Sequence, residues 1–182
     1  MITAFTENTD FMKIHIIGCS GSGKTYFANA LSKKYNIPHF DLDDIQWDNS
    51  AKAYGTKRPL DERKALLQEI VLNHDWIIEG VYDSWVQQSF DEADKIYVLD
   101  MPRYLYKSRI IIRSVKRKFG ILKGKKETLK SVCDLLKWTE TFQNKNLKEI
   151  KRILDRYGNK VVWLSSKKDV DEIINRCCPS DC

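Results

Sequence analysis

The sequence predicts an α/β fold, a five-stranded parallel sheet with helices on both faces. Three observations predict it. Near-continuous apolar runs recur at 13–17, 76–79, 95–99 and 160–164, as strands buried on both faces require. Stretches of helical period alternate with these runs. A tight glycine-rich turn, 18–25, joins the first run to the first helical stretch. The 182 residues suit one domain with a sizeable core. Residues 12–182 are expected to form it, and the polar, aperiodic residues 1–11 read as a disordered extension.

Taken in order, Lys13-Ile14-His15-Ile16-Ile17 is the first strand and Thr25 to Tyr35 the first helix, with Phe27, Ala28, Ala30 and Leu31 on one side. Asn36-Ile37-Pro38 ends that helix, and 38–42 reads as a short second strand. Residues 48–59 look like loop. Pro59 is placed to start a helix to about Asn73, with Ala65, Leu66, Ile70 and Leu67 as its inward candidates. Trp76-Ile77-Ile78-Glu79, closed by Gly80, is the third strand, and Lys95 to Leu99 the fourth. A basic helix from about Arg103 to Lys118 carries Leu105, Ile111, Ile112 and Val115, and Gly120 and Gly124 mark a turn beyond it. A long amphipathic stretch runs from about Thr128 to Tyr157, with a break expected near Gln143-Asn144, and stops at Gly158. Lys160 to Leu164 is the fifth strand and Asp169 to Cys177 the closing helix.

The turn itself, Gly18-Cys19-Ser20-Gly21-Ser22-Gly23-Lys24-Thr25, fits G-x-x-x-x-G-K-[ST] at every fixed position. Glycines let the backbone curl so that successive N–H groups face phosphate oxygens. Lys24 supplies a mobile charge at the β/γ-phosphates, and the Thr25 hydroxyl is placed to bind Mg²⁺. The helix that follows adds its positive dipole end. All eight residues, Gly18 through Thr25, are therefore nucleotide-binding candidates.

Ligands of such sheets lie beyond the carboxyl ends of the strands. The second strand leads there to Asp41 and Asp43, sharing one side of an extended chain, with Asp44 on the other. The third delivers Glu79 and the fourth Asp100. Carboxylates gathered near bound phosphates are costly unless a divalent cation or a substrate hydroxyl needs them. Asp43 reads as the catalytic carboxylate, with Asp41 as the alternative base. Glu79 reads as a metal-side residue beside Thr25, and Asp100 equally as a turn acid before Pro102.

The net charge of +6 is local: residues 103–130 hold eleven of the 31 Lys/Arg and one of the 25 Asp/Glu. Arg109 and Arg113 share a helix face and could grip one phosphoryl group, which makes them catalytic candidates. Lys116 to Lys126 read as a solvated face of a mobile, helical basic lid. No window is apolar enough to cross a bilayer and no signal pattern opens the chain, so no membrane partner is expected. Five scattered cysteines without C-x-x-C spacing suit a reducing cytoplasm, with Cys19 simply a small side chain. His15, His39 and His74 are isolated and read as structural. Oligomeric state is left open.

The glycine loop, then Ile37-Pro38-His39-Phe40-Asp41-Leu42-Asp43, Trp76-Ile77-Ile78-Glu79-Gly80 and Leu99-Asp100-Met101-Pro102-Arg103 with Arg109 and Arg113, resembles the adenylate-kinase-related group called topology modulation proteins. The resemblance covers nearly the whole chain from Met12. It implies the P-loop NTPase fold of nucleoside and nucleotide kinases, a lid after the fourth strand, and ATP with Mg²⁺. It also implies Arg109 near the nucleotide base and phosphates, Arg113 near the transferring phosphoryl group, and Asp43 and Glu79 on the acceptor and Mg²⁺ side. One departure stands out: 139–145 holds Lys145 and no arginine, where the group carries several.

The expected activity is ATP- and Mg²⁺-dependent phosphoryl transfer to a small acceptor, nucleoside- or nucleotide-like. A hydroxyl acceptor would use Asp41 or Asp43. A monophosphate would need cations, for which Arg58 and Arg63 are the candidates, and Trp47, Tyr54, Tyr82 and Trp85 read either as a surface to stack a base or as core packing. The alternative is a nucleotide-regulated, nucleic-acid-associated protein that uses the 103–130 arm. It is the weaker reading, since no recognised DNA-binding module accompanies the charge.

Overall fold

In the computed structural model, which describes residues 12–48, 50, 55–121 and 128–175, five parallel strands form one sheet in the order β2-β3-β1-β4-β5. The strands are β1 Lys13–Gly18, β2 His39–Asp41, β3 Trp76–Gly80, β4 Lys95–Leu99 and β5 Val161–Leu164. β1 lies centrally, with Ile17 opposite Gly80 of β3 and Val98 of β4. Its residues from Ile14 onward are all buried, which is why the sequence there is apolar without alternation. The predicted five-stranded parallel sheet is present, and its helices are α1 Lys24–Tyr35, α2 Leu42–Gln46, α3 Leu60–Val71, α4 Gln87–Glu92, α5 Arg103–Lys118, α6 Leu129–Thr141, α7 Leu147–Leu154 and α8 Lys167–Asn175.

Several details depart from the sequence pattern. Asp43 and Asp44 are not on an extended strand: the chain turns at Asp41, whose carboxylate accepts the Asp43 N–H at 2.9 Å and caps α2. α3 buries Leu67 and Val71 and packs the partly buried Leu66 and Ile70 against the core, whereas Ala65 faces water. α5 buries Tyr106 and Ile110, leaving Ile111, Ile112 and Val115 about half exposed. The expected break at Gln143-Asn144 is a π-helical turn, Phe142–Asn146, between α6 and α7. It is pinned to the root of α5, where Arg103 Nη2 donates to Asn144 Oδ1 at 2.8 Å. The short helices α2 and α4 had no periodicity long enough to announce them. Residues 1–11, Tyr54 and the turn at Gly124 lie outside the described residues.

The core is polar at one point. His15, fully buried in β1, has Nδ1 2.9 Å from Ser89 Oγ, while that hydroxyl donates to the Val86 carbonyl at 2.7 Å. The imidazole therefore donates, and burial pushes its pKa down to about 3, so it is a neutral structural group.

Gly80 ends β3 where Leu42 of α2 closes over it. A Cβ there would lie 2.7 Å from Leu42 Cδ1 and 2.9 Å from its Cβ, and Leu42 is itself fully buried. Gly80→Ala should therefore lower stability by about 1–3 kcal/mol, the usual cost of overpacking. A thermal melt equal to wild type would mean that α2 shifts freely on the sheet.

Candidate functional site

The site begins where β1 runs into the glycine loop. Gly18 faces the Leu99 carbonyl so closely that a Cβ would meet it at 2.8 Å. Gly21 and Gly23 hold φ of 81° and 103°, the left-handed region that glycine alone enters freely. Gly23 is the N-cap of α1 and no side chain caps that helix. Its first N–H groups are thus open to an anion, in line with the positive end of the helix dipole.

Loop and strand ends face one cavity of about 920 Å³. Ser20, Gly21, Gly23, Lys24 and Thr25 line it from the loop, Asp41 and Glu79 from the ends of β2 and β3, and Asp43 from α2. α5 contributes Arg109, Arg113 and Arg117. Gly18, Cys19 and Ser22 stand behind this lining: Cys19 and Ser22 are buried, and Gly18 packs on β4. Burial pushes the Cys19 thiol up to about 12, so it stays protonated and unreactive.

Lys24 is buried, with Nζ donating to the Cys19 carbonyl at 3.1 Å. Burial pulls its pKa below the ordinary value, opposed first by the Glu79 charge. The Thr25 hydroxyl donates to Glu79 Oε1 at 2.5 Å. His39 Nε2 lies 3.7 Å from the same oxygen, beyond hydrogen-bond length but close enough to act electrostatically. Burial alone would raise the Glu79 carboxyl; His39, Lys24 and Thr25 together hold it below the usual range. Asp41 is relieved by the Asp43 N–H alone. Burial and then the Glu79 charge push it up to about 6. Tyr82, in the loop after β3, donates its hydroxyl to Asp43 Oδ1 at 2.6 Å.

Among the described residues no three His, Cys, Asp or Glu side chains form a metal cage. A magnesium ion needs none, since it typically takes one or two protein oxygens along with phosphate and water. Thr25 and Glu79, sharing a short hydrogen bond at the lip of the loop, are the pair that fits such an ion.

Other candidates fall elsewhere. Arg109 lines the cavity, but its Nη1 also donates to the Gly21 and Ser22 carbonyls at 3.2 and 2.7 Å. Arg58 pairs with Glu62 at 3.9 Å, and Arg63 donates to Gln46 Oε1 at 2.7 Å while lying 5.3 Å over the Trp85 ring. Arg58, Arg63 and the buried Trp85 do not line the cavity, whereas Trp47 and Tyr82 do. Asp100 borders a separate cavity of about 380 Å³ with Arg103, Gln143 and Ser165. Among the residues that the sequence pattern does not single out are Gln46, Val81, Leu135 and Trp138, which line the cavity, and three more. Arg117 belongs to the stretch expected to be solvated, although 109, 113 and 117 repeat at four residues and share a face. Lys57 reaches the cavity because an antiparallel bridge joins it to Trp47 within the stretch read as plain loop, and no local pattern signals that pairing. His39 reads as structural in the sequence, yet it lies two residues before Asp41 on β2 and faces the buried Glu79 carboxylate.

Comparison with known proteins adds an outside measure. No protein-family model matches the chain. An uncharacterized protein, YqaC of Bacillus subtilis (strain 168), is 28% identical over 79% of this chain and 80% of its own length. An adenylate kinase of Clostridium kluyveri is 26% identical over 68% of this chain and 70% of its own. Among solved structures, shikimate kinase from Bacteroides thetaiotaomicron superposes with a TM-score of 0.57 at 17% identity, covering 91% of this chain and 95% of that one. An uncharacterized protein from Eubacterium ventriosum gives 0.54 at 14% identity, over 91% and 94%. The chain has the P-loop NTPase fold, and its likenesses support a P-loop kinase-like family.

Proposed function

We propose that the chain is a phosphotransferase that moves the γ-phosphoryl group of ATP to a small acceptor, nucleoside- or nucleotide-like, as in the adenylate-kinase-related group it resembles. The likeness to an adenylate kinase in sequence and to a shikimate kinase in fold supports nucleotide-dependent phosphoryl transfer at the level of the family. One observation carries the reading for this chain. An uncapped helix start with a buried lysine and a Thr25–Glu79 pair opens onto the same cavity as Asp41 and Asp43.

In this reading the residues Gly18 to Thr25 wrap the triphosphate, and Lys24 follows the charge that develops between the β- and γ-phosphates. Thr25 and Glu79 hold a magnesium ion, which neutralises phosphate charge when bound. Arg113 and Arg109 approach from α5, on the side away from the carboxylates, and contribute cationic charge toward the γ-phosphoryl oxygens. Asp43, oriented by Tyr82, receives the acceptor. α5 serves as the lid element that excludes water. Among the described residues no helix is long and apolar enough to cross a membrane, and a small-molecule acceptor matches a cavity of about 920 Å³.

Lys24→Ala should weaken ATP binding on the order of 100-fold, the equivalent of about 3 kcal/mol in charge-assisted bonds, with the melting temperature preserved or raised. Isothermal titration in the presence of magnesium checks this, and undiminished heat would remove the loop from its assigned role. The Asp41 carboxyl gives a pH test. Its folded value, about 6, exceeds the ordinary 3.8, so the fold favours the neutral acid. Stability is thus lost as pH rises through that window. Asp41→Asn keeps the cap of α2 while removing the charge. It should raise the melting temperature at neutral pH and change nothing below 3.8.

A further inference from the structure

The charges around the cavity are unevenly divided. Its arginines, Arg109, Arg113 and Arg117, all come from α5, and Lys24 comes from the first turn of α1. The opposite wall, built by the end of β2, by α2 and by the chain after β3, offers Asp41 and Asp43. Among the described residues Lys57 is the one cation on that wall. Lys57 is exposed, and its ammonium lies over the Trp47 ring at 5.8 Å, so water screens it. The two arginines that the sequence places in this region do not line the cavity: Arg58 pairs with Glu62, and Arg63 lies behind the lining, donating to Gln46 and stacking over Trp85.

A phosphate monoester lodged on this wall would bring its two negative charges against Asp41 and Asp43, and Lys24, the buried cation whose charge reaches both, is in the reading above taken up by Glu79 and the ATP phosphates. A neutral hydroxyl meets no such barrier. Asp43 is prepared for one: Tyr82 donates to Oδ1 at 2.6 Å, which fixes the carboxylate and leaves Oδ2 to accept. Trp47 and Tyr82 add flat apolar surface on the same wall.

We infer that the acceptor is an uncharged hydroxyl compound carrying a ring or other flat group, not a phosphate monoester. This rests on the phosphotransferase reading above and narrows it. The acceptor hydroxyl oxygen forms a bond to the γ-phosphorus of ATP, the phosphorus–oxygen bond to ADP breaks, and the hydroxyl proton passes to Asp43. The product is a phosphate monoester. A monophosphate acceptor would instead give a diphosphate anhydride.

The two products separate cleanly by phosphorus NMR. The full chain with magnesium and ATP is offered matched pairs: adenosine and AMP, uridine and UMP, ribose and ribose 5-phosphate. The expected result is monoester product from unphosphorylated members, with kcat/KM at least 100-fold above the matched phosphate. Diphosphate product at equal or greater efficiency would overturn the inference and leave the phosphotransferase reading standing. No transfer to any member, with ATP bound, would remove both. Asp43→Asn should lower kcat for the hydroxyl acceptor at least 100-fold with the Kd for ATP unchanged, and Tyr82→Phe should lower kcat about tenfold with the same ATP affinity. Wild-type turnover by Asp43→Asn would take the proton from Asp43 and overturn the wall's assigned role.

Discussion

Lys24 is a lysine almost wholly withdrawn from water, 8% exposed, and the site depends on where its charge sits. A parallel sheet delivers the carboxyl ends of all its strands to one edge, so acids at those ends crowd together. Glu79 is buried there at the end of the strand next to β1, and Asp41 ends the strand beyond it. Without a nearby cation this crowding would be too costly to keep ionised. Lys24 has burial against it and Glu79 in its favour, and Glu79 stays charged partly because Lys24 is near. The balance is incomplete. Asp41 keeps a raised pKa, a cost in stability that packing elsewhere must offset.

The strands were legible because parallel-sheet burial leaves apolar runs that nothing else in the chain imitates. The glycine loop was legible because its backbone needs left-handed residues at fixed spacing, which Gly21 and Gly23 supply. Long-range pairings left no such trace. Lys57 reaches the cavity through a bridge to Trp47, and nothing around either residue marks it. Asp43 was placed on the right corner but in the wrong conformation, because a five-residue helix is too short to show a period. Arg58 and Arg63 looked like acceptor residues from sequence position alone; their partners, Glu62 and Gln46, decide otherwise.

α5 shows how composition misleads about exposure. It carries seven Lys/Arg between Arg103 and Lys118, and the apolar residues expected to pack, Ile111, Ile112 and Val115, are about half exposed. Yet Tyr106 and Ile110 are buried, and a Cβ on Gly21 would lie 3.0 Å from the Tyr106 carbonyl and 3.2 Å from Ile110 Cγ1. The root of this helix is therefore part of the loop's support. Any swing of the distal half must pivot about a segment that also shapes the phosphate-facing turn. The π-helical turn at Phe142–Asn146 is tied to that same root through Arg103.

Arg109 has an effect reaching past its own charge. Its guanidinium takes up the Ser22 carbonyl at 2.7 Å, and that oxygen belongs to the same peptide unit as the Gly23 amide. Drawing electron density toward one end of a peptide makes its hydrogen at the other end more acidic. A helix more than eighty residues downstream thus sharpens a donor in the turn after the first strand, linking two distant parts of the chain through the polarisation of a single amide plane.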